Sequence, residues 1–149
     1  MPVDFTKEKE ERRKNGVECG VKTIVVHIHG GGFIGLSSRT HQNYLRKWAK
    51  LIPNSMIMSI DYRLAPDFVY PDPLDDVWQG YYWILTQCET QIGIYAPLTV
   101  IGVKPQIIVV SGDSAGGNLS MGLSLRALHT GIRMPDGIVL GYPGILTKF

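Results

Sequence analysis

Ser114 is the residue in this chain best placed by its neighbours to do covalent chemistry. It sits in Gly112-Asp113-Ser114-Ala115-Gly116, directly after the apolar, β-branched run Ile107-Ile-Val-Val-Ser111 and before a helical pattern. A serine hydroxyl is a weak nucleophile and needs a base to take its proton. Attack on a carbonyl then builds an oxyanion, which needs preorganised donors. The G-x-S-x-G spacing meets the geometric part of the demand. It lets the serine ride a tight strand-to-helix turn, with glycines on either side so that strand and helix can approach closely. A second stretch, His29-Gly30-Gly31-Gly32, follows another strand-like run and supplies the donors: glycines leave backbone N–H groups free to face a small anion. The donors expected are the N–H groups of Gly31, Gly32 and Ala115. G-x-S-x-G alone arises by chance in roughly 5% of chains this long, and the upstream HGGG multiplies in a probability on the order of one in a thousand. The pair, each member behind a strand, specifies acyl-transfer chemistry.

The elements that must hold these loops are legible as alternating strands and helices. Thr23–Ile28, Ser55–Ile60, Gln106–Ser111 and Asp136–Gly141 read as strands. Between them, residues 41–51 place Tyr44, Leu45, Trp48 and Leu51 at helical spacing. Pro73 opens a helix to about Cys88, with Asp75 and Asp76 in its first turn, where the helix dipole favours acids. A third helix runs from Ala115 to about His129, with Gly131 as its C-cap. The alternation predicts an α/β fold with a parallel sheet buried on both faces and right-handed crossovers. Trp48, Trp78 and Trp83 fall at helical spacings expected of core packing.

With 149 residues and 44% hydrophobic content, the chain can build one core. A net charge of +2 with no basic stripe gives no reason to invoke nucleic acid. Cys19 and Cys88 fit neither a disulfide framework nor a zinc site, and no metal or cofactor is implied. No secretory signal or membrane-length apolar run is seen, which predicts a cytoplasmic chain with no transmembrane segment. Residues 1–20 carry the mixed charge run Lys7–Lys14 and read as a solvated leader, and residues 21–149 as the domain. The seventeen residues Glu89–Pro105 are longer than a usual helix-to-strand connection and read as an atypical insertion, either a surface loop or an artefact of gene assembly.

Val25-Val-His-Ile-His-Gly-Gly-Gly-Phe33, Asp61-Tyr-Arg-Leu-Ala-Pro66, Gly112-Asp-Ser-Ala-Gly-Gly-Asn118 and Tyr142-Pro143 together resemble the hormone-sensitive lipase family of α/β-hydrolases. Ser37-Ser-Arg-Thr-His41 and Arg133-Met-Pro-Asp-Gly137 add to the likeness, which covers about residues 21–88 and 105–143 in family order. The resemblance implies a partial α/β-hydrolase fold and an esterase or lipase acting on a small-molecule ester or acylglycerol. It leaves association with a lipid surface, and oligomeric state, open. By resemblance Ser114 corresponds to the nucleophile and Gly31, Gly32 and Ala115 to the oxyanion hole. His29, Gly30, Gly112, Asp113 and Gly116 support the two motifs, with Asp113 a structural neighbour and not the triad acid.

The base and its acid are harder to place. In this fold they follow the serine in the order acid, then histidine. Only 35 residues follow Ser114, and they offer His129 and Asp136 in the reverse order. His129 lies fifteen residues along the helix, about 22 Å of rise at 1.5 Å per residue. Asp136 precedes the last strand, at the opposite end of the sheet. Asp72-Pro73-Leu74 resembles the family's acid sequence but lies upstream, at a helix start. His29 is expected to brace its own turn, His27 to be a packed strand residue, and His41 to take a surface or capping role. Asp61 and Arg63 are expected to join loops. The expectation is therefore a fragment or truncated product of an ester hydrolase, with strands, cap, triad acid and histidine absent. The alternatives are a non-catalytic ligand-binding protein on the same fold and an inactive truncation with exposed sheet edges.

Overall fold

The computed structural model describes residues 21–87 and 105–145. The charged leader, Cys19, Cys88 and all of the 89–105 insertion except Pro105 lie outside the described residues. Four strands form one sheet: β1 (Thr23–Ile28), β2 (Ser55–Ile60), β3 (Ile107–Asp113) and β4 (Gly137–Gly141). Their order is β2-β1-β3-β4, and every pair is parallel. Three helices connect them: α1 (Gln42–Leu51), preceded by a 3-10 turn at Ser38–His41, then α2 (Asp72–Gln87) and α3 (Ala115–Thr130).

Side chains alternate across β1, and this alternation sorts the two faces. Ile24, Val26 and Ile28, with Ile108 and Val110 of β3, pack against Val77, Tyr81 and Ile84 of α2 and Leu119, Leu123 and Ala127 of α3. Trp78 and Trp83 pack against this core from its margin. On the other face His27 is covered by α1, where Tyr44 and Trp48 meet its ring edge-on at 5.6 and 6.3 Å. Burial on both faces of β1 is why its sequence is almost continuously apolar.

The expected elements stand within two residues of their read boundaries, and one shift matters. The third strand extends past Ser111 to Asp113, because Gly112 and Asp113 pair with Leu140 and Gly141 of β4. Ser114 therefore leaves the sheet with no intervening loop. Gly131 caps α3 in the left-handed region, at φ 71°.

The far end of the sheet is closed by polar contacts. Asp136 accepts the Ile108 N–H at 2.7 Å and pairs with Arg133 at 2.8 Å. Arg133 also donates to the carbonyls of Pro105 and Gln106. The backbone bond from Ile108 holds the Asp136 carboxyl below the usual carboxylate range, opposed by burial and aided by Arg133.

Candidate active site

Ser114 occupies φ 50°, ψ −118°, between the last residue of β3 and the first of α3. For a residue with a Cβ this is a strained conformation. Its surroundings fix it there. Its N–H donates to the Gly141 carbonyl at 2.9 Å, and its own carbonyl accepts from Asn118 at 3.1 Å and Gly144 at 3.2 Å. The flanking glycines allow the close crossing: a Cβ on Gly112 would strike the Gly116 carbonyl, and one on Gly116 would strike the carbonyl of Ile28 at the end of β1.

The His29–Gly32 loop leaves β1 beside this turn. Gly31 turns at φ 121°, and its carbonyl accepts from Ile34 and Gly35 at 3.2 and 3.1 Å. His29 is buried; its Nδ1 lies 2.7 Å from the Gly30 carbonyl, and its ring stacks on Tyr62 at 4.2 Å. The Tyr62 hydroxyl donates to the His29 carbonyl at 2.8 Å. Burial lowers the His29 pKa, opposed by its bond to Gly30, and pushes the Tyr62 hydroxyl up to about 12. Among the described residues no protein group accepts the N–H of Gly31, Gly32 or Ala115.

Ser114, Ala115 and Gly32 line one cleft of about 540 Å³ with Phe33, Ala65, Phe68, Val69, Tyr70, Pro73, Asn118, Leu119 and Gly144. Gly31 is not in that lining; it makes the turn behind it. The walls are mainly apolar, with Asn118 the one amide side chain, and that side chain donates to the Gly144 carbonyl. The wall at Phe68–Tyr70 is set by Arg63. Its guanidinium lies 4.7 Å over the Phe68 ring and makes bonds of 2.9 to 3.0 Å to Asp76. Asp61 holds the Ser38 N–H and hydroxyl and so joins its loop to the 3-10 turn, whereas Arg63 ties its loop to α2 through Asp76.

The other ionisable candidates lie off the cleft. Asp113 accepts the Gly30 N–H at 3.1 Å and the Tyr142 hydroxyl at 3.3 Å. His27 is buried, with Nδ1 3.1 Å from the Ser59 hydroxyl and Nε2 2.8 Å from that of Tyr44. Burial, then His41, lowers its pKa to about 4. His129 binds the Leu125 carbonyl near the far end of α3, and Asp72 lies 3.7 Å from Arg63. The expectation for His41 needs correction. It stands at the N-cap of α1, where a capping role would put it, but its side chain makes no cap bond and is only 7% exposed, its ring lying 5.4 and 5.9 Å from those of His27 and His29. Its Nε2 lies 3.5 Å from Asp113. No local pattern marks its burial.

A parallel sheet whose third strand runs directly into a strained serine, with a glycine loop beside it and a helix beginning at the next residue, defines an α/β-hydrolase. A family model described as the alpha/beta hydrolase fold matches residues 25–149. The chain belongs to that family and is related to the hormone-sensitive lipases; its four parallel strands and flanking helices form part of the family's core. It is 40% identical over 127 residues to the hormone-sensitive lipase of Bos taurus, covering 85% of this chain and 15% of that protein. The esterase structure from Pyrobaculum calidifontis superposes with a TM-score of 0.69 at 35% identity, over 83% of this chain and 36% of that one. The gibberellin receptor of Oryza sativa subsp. japonica is 29% identical over 119 residues, 78% of this chain and 31% of the receptor. The chain thus spans well under half the length of each. Among the described residues no helix is long and apolar enough to cross a membrane.

Proposed function

We propose that this chain is the nucleophile-bearing part of a serine carboxylic ester hydrolase, with Ser114 as nucleophile. The observation that carries this reading is the strained turn at Ser114, φ 50°, opening on a cleft shared with Gly32 and Ala115. Ser114 attacks the ester carbonyl as a base takes its proton, the Gly31, Gly32 and Ala115 N–H groups stabilise the oxyanion, the C–O bond breaks and the alcohol leaves with that proton, and water then hydrolyses the acyl-enzyme to release the acid and restore the serine. The apolar wall of Phe33, Phe68, Val69 and Leu119 suits an acyl chain, so the substrate class is an ester or acylglycerol. His29, Gly30, Gly112, Asp113 and Gly116 support the two loops. The base and its acid lie outside these residues, since His27, His29 and His41 are bonded beneath the loops and His129 ends α3.

A serine-reactive fluorophosphonate tests this, with Ser114→Ala as control. Slow adduct formation is expected, mapped by mass spectrometry to Ser114 and lost in the variant. An adduct unaffected by Ser114→Ala overturns the nucleophile, and labelling as fast as in a complete serine hydrolase overturns the external base. A second reading, a ligand-binding module without turnover, is supported by the likeness to a gibberellin receptor. A folded protein that binds apolar esters in the cleft without an adduct would favour it.

A further inference from the structure

We propose that Asn118 is a positioning residue for the Ala115 N–H, acting through the Gly144 backbone on the carbonyl of Ser114. This role rests on the reading of Ser114 and its oxyanion donors given above. The Ser114 carbonyl and the Ala115 N–H belong to one planar trans peptide, so they point in opposite directions. Whatever fixes that carbonyl therefore aims the N–H. Two donors converge on the Ser114 oxygen, the Asn118 N–H at 3.1 Å and the Gly144 N–H at 3.2 Å. The first is the opening bond of α3, which the backbone makes whatever side chain stands at 118. The second comes from outside the helix, from the segment that follows β4.

That second donor has little else to hold it. Gly144 carries no side chain, and a Cβ built there would meet nothing within 4 Å. It sits at the centre of a tight turn, closed by the Ile145 N–H on the Pro143 carbonyl at 2.9 Å. Pro143 rests on the first turn of α3, where a Cβ on Gly117 would lie 2.8 Å from the proline Cβ. The Asn118 side chain supplies the tie, its Nδ2 donating to the Gly144 carbonyl at 2.8 Å. A carbonyl can only accept, so it is the amide nitrogen of Asn118 that faces it. Gly144 is thus held on both sides, its N–H by Ser114 and its carbonyl by Asn118. Asn118 and Gly144 line the cleft beside Ser114 and Ala115, so the tie closes next to the nucleophile.

Asn118→Ala separates the two bonds. It keeps the backbone N–H that opens α3 and removes only the tie to Gly144, and alanine favours the helix. In the 149-residue chain the wild-type Gly144 N–H should be protected from hydrogen exchange. In the variant it should exchange about tenfold faster or more, relative to the buried strand amides of Val26 and Val110, which report global stability. Fluorophosphonate labelling of Ser114, followed against probe concentration, should lose about 10- to 100-fold in saturating rate per folded molecule, the penalty of a misaimed donor. The half-saturating concentration should not move. A side chain that served folding alone would leave that rate unchanged, and one that served binding alone would move only the half-saturating concentration. Either result overturns the proposal. So does a wild-type Gly144 N–H that exchanges as fast as an unstructured amide, a measurement that needs no variant. If labelling ignores Ser114→Ala, the hydrolase reading fails and the positioning role falls with it. If labelling needs Ser114 but its saturating rate ignores Asn118→Ala, the positioning role fails alone.

Discussion

Ser114 holds a backbone conformation, φ 50° and ψ −118°, that costs about 1–3 kcal/mol for a residue with a Cβ. That cost separates stability from chemistry at this one position. Ser114→Gly should raise the urea midpoint, by about 1 kcal/mol of stability, while removing the fluorophosphonate adduct. Ser114→Ala should remove the adduct and keep the strain. The opposite trade holds at Gly116, where a Cβ would meet the Ile28 carbonyl. Gly116→Ala should lower stability by about 1–3 kcal/mol, read from the same denaturation curve, and slow labelling because α3 is pushed off the end of β1.

At the scale of elements, most strands and helices were legible because each buries a defined face. β1 is apolar at every position that meets α2 and α3, and α1 repeats its apolar residues at helical spacing. What sequence could not give was set by pairing between distant segments. Gly112 and Asp113 are poor strand residues, yet β4 draws them into the sheet through Leu140 and Gly141. His41 reads as a surface or capping histidine because it begins a helix, and its burial comes from rings distant in sequence, those of His27 and His29. The site motifs were legible through glycine spacing, but the cleft wall at Phe68–Tyr70 depends on Arg63 reaching Asp76. The clamp between β3 and β4 gives a prediction at this scale. Asp136→Ala removes the acceptor for the Ile108 N–H and the partner of Arg133. It should cost about 1–2 kcal/mol in chemical denaturation. Labelling of Ser114 per folded molecule should stay unchanged, since Asp136 stands at the other end of the sheet. A fall in that rate would assign Asp136 a part in the chemistry.

The whole molecule's response to acid follows from its buried histidines. Burial, then His41, holds the His27 pKa at about 4 against an ordinary 6.5, and burial lowers His29 as well. Between those two values the unfolded chain binds more protons than the folded one, so stability falls as pH falls from about 6.5 toward 4. His27 alone contributes on the order of 2–3 kcal/mol to that slope, and His27→Gln should flatten it in urea midpoints measured from pH 7 to 4. A slope unchanged by the substitution would place the titration elsewhere. The central claim, that this sheet presents Ser114 as a hydrolase nucleophile, concerns a chain that spans 36% of the Pyrobaculum calidifontis esterase it resembles. It is tested most directly by exchanging residues 21–145 for the matching segment of that esterase, whose remainder supplies the rest of the fold. The folded chimera should hydrolyse a short p-nitrophenyl ester and carry a fluorophosphonate adduct on Ser114, with Ser114→Ala reducing turnover by about a thousandfold or more. A folded chimera that forms no adduct on Ser114, or whose turnover survives Ser114→Ala, would contradict it.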